Sequence, residues 1–157
     1  MSGETSVQRA SDQDFGDLIV LRYRWRTEEA GETGMSLDEF DRRCREWLVD
    51  HRATHRGYVA RTGGHPIGCA WLCLIDRVPG PGKFERRGGI LQSVYVEPSS
   101  RDTGVGTELV GVMLEDARLM GLDYVMVHPS KRSFAFYRRL GFTDADGALE
   151  LRLDASG

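Results

Sequence analysis

Apolar residues recur along this chain with two different periods, and the changes of period mark its elements. Phe15, Leu18, Ile19 and Arg22 fall on one helical face behind Ser11 and Asp14, which fit a helix-start box, so a first helix is predicted from about residue 12 to the high twenties. Two glycines between Glu28 and Gly34 break it, and residues 7–10 ahead of it read as a short strand. Ser36 with Glu39 forms a second box, after which Leu37, Phe40, Cys44, Trp47, Leu48 and His51 repeat every three or four positions as in an amphipathic helix.

Beyond Thr54 the period drops to two. Residues 58–61, a Gly63-Gly64 turn, and Ile67, Cys69, Trp71, Cys73 and Ile75 predict a hairpin with a long second strand. The stretch VPGPGKFERRGG, residues 78–89, reads as a mobile loop, and strand character returns over 90–96. Val105, Leu109, Val112, Met113, Ala117 and Met120 make the apolar stripe of a helix over 104–120, closed by Gly121. Residues 122–127 predict a strand buried on both faces, residues 131–140 a short helix, and Leu149, Leu151 and Leu153 a last strand with one wet face. The order β-α-α-β-β-β-α-β-α-β-β predicts an α/β (α+β) fold. Its mixed central sheet would have six or seven strands with helices on both faces, in a single domain over 1–157.

The length of 157 residues suits one domain, and a net charge of −3 gives no global basic footprint for nucleic acid. No run is apolar enough to span a membrane, and the opening MSGETSVQRASDQD lacks a signal-peptide core, so a cytoplasmic protein is expected. Cys44, Cys69 and Cys73 make neither a disulfide framework nor a metal-binding spacing, and no metal is expected. Divided along the chain, residues 77–139 carry ten basic and seven acidic side chains, a balance of +3, which leaves −6 for the rest.

Arg101, Asp102, Thr103, Gly104, Val105, Gly106 and Thr107 lie between a predicted strand and the strongest helix. A glycine-bearing turn there converges several amides at the positive end of the helix dipole, which suits a phosphate or pyrophosphate. No Lys-Ser/Thr pair follows the second glycine, and Leu109 stands where a dinucleotide fingerprint needs its third glycine. A plain tight turn is the alternative.

The run LQSVYVEPSSRDTGVGTELVGVML, followed by GLDYVMVHPSKRSFAFYRRLGF, resembles the two adjacent motifs of the GNAT superfamily of acyl-coenzyme A dependent N-acyltransferases. Arg101, Gly104 and Gly106 behind Val96-Glu97-Pro98 match the first motif, and Phe136, Tyr137, Gly141 and Phe142 match the second. The resemblance implies that the backbone of Val94, Tyr95 and Val96 pairs with the pantetheine arm of acetyl-CoA, the co-substrate. It further implies that the amides of 102–107 hold the pyrophosphate, and that Tyr137 is the general acid for the departing thiolate. Ser130 stands where the family often has an asparagine on the pantetheine arm, and it is equally a helix N-cap.

The reaction this implies is direct attack of an amine on the acetyl thioester. An alkyl amine with pKa near 10 needs about 4 kcal/mol to expose its lone pair at pH 7. Glu97, Asp76, Glu85 and His128 are the groups that could take its proton, and Val125 is apolar where some relatives carry a basic glutamate. The resemblance further implies that the acceptor, a small-molecule or peptide amine, lies against the first two helices, their connection and the late hairpin, with the long strand nearby. Trp25, Glu28, Glu29, Trp71 and Asp76 are the candidates there, while Arg22, Arg24 and Arg26 suit an anionic acceptor. A homodimer is an assembly to expect. A non-catalytic acyl-CoA sensor of the same fold is the rival reading. A nucleic-acid or protein-binding loop using Lys83, Phe84, Arg86 and Arg87 has only one aromatic to offer.

Overall fold

In a computed structural model of the protein, residues 3–145 and 147–153 are described. Five strands form one sheet in chain order: β1 (Thr5–Arg9), β2 (His55–Thr62), β3 (His65–Arg77), β4 (Arg86–Val96) and β5 (Val125–Val127). The first four are antiparallel, and β5 alone runs parallel to β4. A parallel neighbour requires a crossover, which α3 (Val105–Leu119) supplies. Helices α1 (Phe15–Arg24) and α2 (Leu37–Asp50) lie between β1 and β2, and α4 (Phe134–Arg139) follows β5.

The period of two decides which helix covers which face. Tyr58, Ala60, Ala70 and Leu72 turn to one side of the sheet, where Leu109, Val110 and Met113 of α3 bury them. Val59, Cys69 and Tyr95 turn to the other, against Leu18, Ile19 and Leu21 of α1 and Leu48 of α2. Ser36 caps α2 by accepting the Glu39 amide at 3.2 Å. Two ion clusters fasten helices to strand β2. Arg61 donates to Asp14 and Asp17, each at 2.7 Å, and Asp116 of α3 accepts from Arg56 at 3.0 Å and from the Tyr58 hydroxyl at 2.5 Å.

The structure departs from the sequence reading in four places. The described sheet has five strands, not six or seven, because residues 149–153 form no strand: Leu149, Leu151 and Leu153 are 100%, 82% and 91% exposed. Their alternation gives one apolar face, but nothing among the described residues pairs with that backbone, and an unpaired strand has no stability of its own. The expected loop ends early, since residues 86–89 already pair with β3, Gly88 opposite Ile75 and Gly89 opposite Leu74. Gly88 is required there: a Cβ would lie 2.2 Å from the Tyr124 ring that crosses it. The strand expected over 122–127 is regular only at its last three residues, although the Asp123 amide and the Tyr124 carbonyl also bond β4, and it is half-buried, as an edge strand is. Finally, the first helix loosens after Arg24 into a π-helical turn, Trp25–Glu29, in which the Ala30 amide reaches back to the Trp25 carbonyl.

Candidate active site

The site begins at one extra residue in β4. Trp71 of β3 faces Ser93, but its neighbour Leu72 faces Leu91, so Gln92 is left over as a bulge. On the other edge, β4 pairs with β5 only through Gly89, Ile90 and Leu91. Past Gln92 the two strands part, and residues 93–96 are paired to β3 alone. The edge of Val94, Tyr95 and Val96 that faces away from β3 is therefore a strip of main chain without a strand partner among the described residues. An extended ligand bearing amide groups can add to such a strip as a further strand.

The strip leads to the start of α3. A single 3-10 turn, Pro98–Ser100, is followed by extended Arg101, by Asp102 at φ 62° and by Gly104 at φ 88°, the left-handed residue from which α3 springs. No side chain caps this helix, and the amides of 102–107 find no acceptor among the described residues. Free N–H groups at the positive end of a 15-residue helix are suited to an anion. A Cβ on Gly104 would touch nothing within 4 Å, so the space beside it is open. The Arg101 side chain turns inward: its Nε donates to the Val96 carbonyl at 2.9 Å, and its guanidinium pairs with Glu29 of the π turn. The Thr103 hydroxyl donates to the Ser100 carbonyl, and the Ser130 and Ser133 hydroxyls bond each other at 3.1 Å.

Tyr137 lies on α4 in the same apolar cluster as Val94, Val96 and Phe136. The rings of Phe136 and Phe142 meet it edge-on at 5.0 and 5.5 Å. Its hydroxyl has no hydrogen-bond partner among the described residues yet is not sealed from the surface. Burial pushes its pKa up to about 12, so the phenol keeps its proton throughout the physiological range.

On the opposite face of the sheet the same bulge floors a pocket of about 360 Å³. Leu18, Ile19 and Arg22 of α1, Phe40, Cys44 and Trp47 of α2, Trp71 of β3, and Gln92 and Ser93 of β4 line it. No Asp or Glu is among the lining residues.

The acetyltransferase (GNAT) family model matches residues 20–142. This chain belongs to the GNAT acetyltransferase family. An uncharacterized N-acetyltransferase of Methanocaldococcus jannaschii is 27% identical over 64% of the chain, and a glucosamine 6-phosphate N-acetyltransferase of Trypanosoma brucei brucei is 35% identical over 45% of it. The matches span 44% and 50% of those two relatives, about half their length. A predicted acetyltransferase of Clostridium acetobutylicum solved with acetyl-CoA shares the fold, with a TM-score of 0.76 at 24% identity over 96% of this chain and 97% of that one. An aminoglycoside acetyltransferase from an uncultured soil sample, solved with sisomicin, superposes at a TM-score of 0.74 with 13% identity, over 97% of each chain.

Set on this GNAT fold, the residues expected at the donor side fall together: the free strip of β4, the amide cluster at α3 and Tyr137 surround the parting of β4 and β5. The residues expected at the acceptor side scatter. Trp71 lines the pocket. Trp25 is half-buried outside it, with the Arg22 and Arg26 guanidinium groups each 4.9 Å from its ring. Glu28 is exposed, and Glu29 is held by Arg101. Asp76 is 85% exposed, paired with Arg87, and five strand residues from Trp71, about 17 Å away. None of the four candidate proton acceptors lines the pocket. The Glu97 carboxylate accepts from the Ser99 and Ser100 hydroxyls and faces Arg24, while Glu85 and His128 are exposed. Among the described residues no helix is long and apolar enough to cross a membrane, and no group of three His, Cys, Asp or Glu could hold a metal. The pocket side chains that the site reading missed, Phe40, Cys44 and Trp47, sit on the apolar stripe of α2. Arg22 was the visible signal, a cation at a core-facing position of α1.

Proposed function

We propose that the chain is an N-acetyltransferase that moves an acetyl group from acetyl-CoA to a primary amine by direct attack. The observation that carries this reading is the parting of β4 and β5 beside the unpartnered amides of α3. The residues present fit the co-substrate. The edge of Val94, Tyr95 and Val96 has no strand partner among the described residues, although Arg101 holds the Val96 carbonyl, and it suits the amides of a pantetheine arm, while the amides of 102–107 suit a pyrophosphate. The acetyl group would then lie near Gln92 and Ser93, where the acceptor pocket opens from the other face.

In the transfer a C–N bond forms, the C–S bond breaks, and the proton shed by the amine nitrogen ends on sulfur. The amide of Val94 is the donor for the developing oxyanion. Tyr137, protonated at neutral pH, donates a hydrogen bond to the departing sulfur. With its pKa at about 12 against about 8.5 for an ordinary thiol, outright transfer of its own proton is uphill by about 5 kcal/mol. Tyr137 therefore acts chiefly by hydrogen bonding as charge builds on sulfur, a weaker role than full general-acid transfer.

A lining free of carboxylates favours one rival, a sensor that binds acyl-CoA without turnover. Release of free coenzyme A thiol, followed across amines, polyamines, aminoglycosides, amino acids and peptides, decides between them. Many equivalents released per protein with at least one amine are expected. Binding of acetyl-CoA with no release above the uncatalysed rate establishes the sensor instead.

A further inference from the structure

The acceptor pocket has a charge that the described residues leave unanswered. Three arginines alternate along the end of α1 and the π turn that follows it, and two of them have carboxylates: Arg24 faces Glu97 at 3.8 Å, and Arg26 pairs with Glu32. Arg22, half-buried and lining the pocket, has no ion pair and no hydrogen bond among the described residues. Its pKa is lowered by burial and by the positive charge of Arg26, and no carboxylate offsets either effect. The Trp25 ring, 4.9 Å from the guanidinium carbon, steadies it from one side only. A half-buried cation without a counter-ion is costly, and an arginine presents up to five N–H donors in a planar fork suited to an oxyanion. None of its nitrogens is sealed from the surface without a partner, so these donors remain open to a ligand.

The surroundings describe the rest of that ligand. A second cation, Arg43, also lines the pocket; among the described residues it meets exposed Glu39 at 3.8 Å and donates to the Met35 sulfur at 3.9 Å. Leu18, Ile19, Phe40, Trp47 and Trp71 make walls for an apolar body. The 360 Å³ lies at the small end of ligand pockets, enough for one ring or branched chain. Gln92 and Ser93 form the end nearest Val94, where the nucleophilic amine has to lie.

We infer that the acceptor is a compact amine carrying an apolar side group and an oxyanion, of the kind a hydrophobic α-amino acid presents, with Arg22 holding the oxyanion and the walls holding the side group. This deepens the acetyltransferase reading and rests on it for the identity of the reacting amine.

The test uses the full chain with phenylalanine, leucine and methionine, their carboxamides, and the aminophosphonates that replace each carboxylate by phosphonate. Thiol release is expected to give kcat/KM at least tenfold higher for the free acids or the phosphonates than for the carboxamides, and whichever anion leads names the oxyanion. In Arg22→Gln that preference falls to near parity, while Arg22→Lys recovers part of it. An unchanged Kd for acetyl-CoA, measured by calorimetry, shows that the variants are folded. Carboxamides used as well as the acids by the natural protein overturn the inference, as does a preference that survives in Arg22→Gln. Calorimetric binding of the N-acetylated acids separates the two readings. Should no amine release thiol, the transferase reading fails by itself, and Arg22-dependent binding of those acids still supports the anion site, whereas its absence refutes it.

Discussion

The gap beside β4 is made of main chain, and the pocket beneath α1 and α2 is made of side chains. In the gap the recognising groups are the free edge of residues 94–96 and the amides of 102–107, placed by a bulge and two left-handed residues. In the pocket they are Arg22, Phe40, Trp47 and Trp71, projected from two helices and a strand far apart in sequence. The two meet at Gln92. A main-chain site is specified by where turns fall, so it leaves a spacing that can be read along one short stretch. A side-chain site is specified by which faces converge, and that convergence exists only after folding.

Deletion of Gln92 breaks the comparison most severely, because it removes what both regions share. Without Gln92, Leu91 and Ser93 follow one another opposite Leu72 and Trp71, so the ladder becomes regular, the faces of Val94, Tyr95 and Val96 are kept, and the local bend that accompanies the parting of β4 from β5 is lost. Loss of measurable acetyl-CoA binding by calorimetry, in a domain that remains folded by circular dichroism, is expected. Acetyl-CoA binding at its original affinity would show that the bulge does not make the gap.

Gly104→Val touches the donor side alone. Valine is strained at φ 88° and its side chain enters the open space beside the amides, so acetyl-CoA should bind about a hundredfold more weakly. Circular dichroism should still show a folded domain, since the added atoms meet no protein neighbour within 4 Å at Cβ.

Tyr137→Phe keeps the apolar packing and removes one hydroxyl. Turnover should fall about tenfold, with the Kd for acetyl-CoA unchanged. Because burial holds the phenol near 12, the pH–rate profile of the natural protein should rise toward the pKa of the amine, with no descending limb from Tyr137 below about pH 11. A descending limb near pH 9 that disappears in Tyr137→Phe would contradict this.

The smallest functional effect belongs to Asp116, which serves neither region. Burial raises its pKa, but hydrogen bonds from Tyr58 and Arg56 outweigh that and leave it lowered in the folded protein. A carboxylate depressed on folding stabilises above its unfolded pKa of about 3.9, and that contribution is lost as pH falls through the folded value. Denaturant titrations should therefore show stability declining below about pH 4, with a shallower decline in Asp116→Asn and unaltered turnover at pH 7.

The sequence made the donor side visible because Val96-Glu97-Pro98 and Arg101, Gly104 and Gly106 are local. It hid the bulge, since Gln92 becomes a surplus residue only once β3 sets the register. Phe40, Cys44 and Trp47 followed the same stripe as the core residue Leu48, and nothing in their spacing separates a wall from a core. Leu149, Leu151 and Leu153 show the opposite error: strand periodicity was present and a partner strand was not.

Cys44 gives the pocket a reporter of its own. The three thiols are free, and burial pushes Cys69 up to about 12 while also raising Cys44 and Cys73. Protonated thiols react slowly, so reagents that count released coenzyme A see little background from the protein near neutral pH. Of the three, Cys44 is the one on the pocket wall, and its alkylation rate, slowed by whatever fills that space, can rank ligands before any has been acetylated.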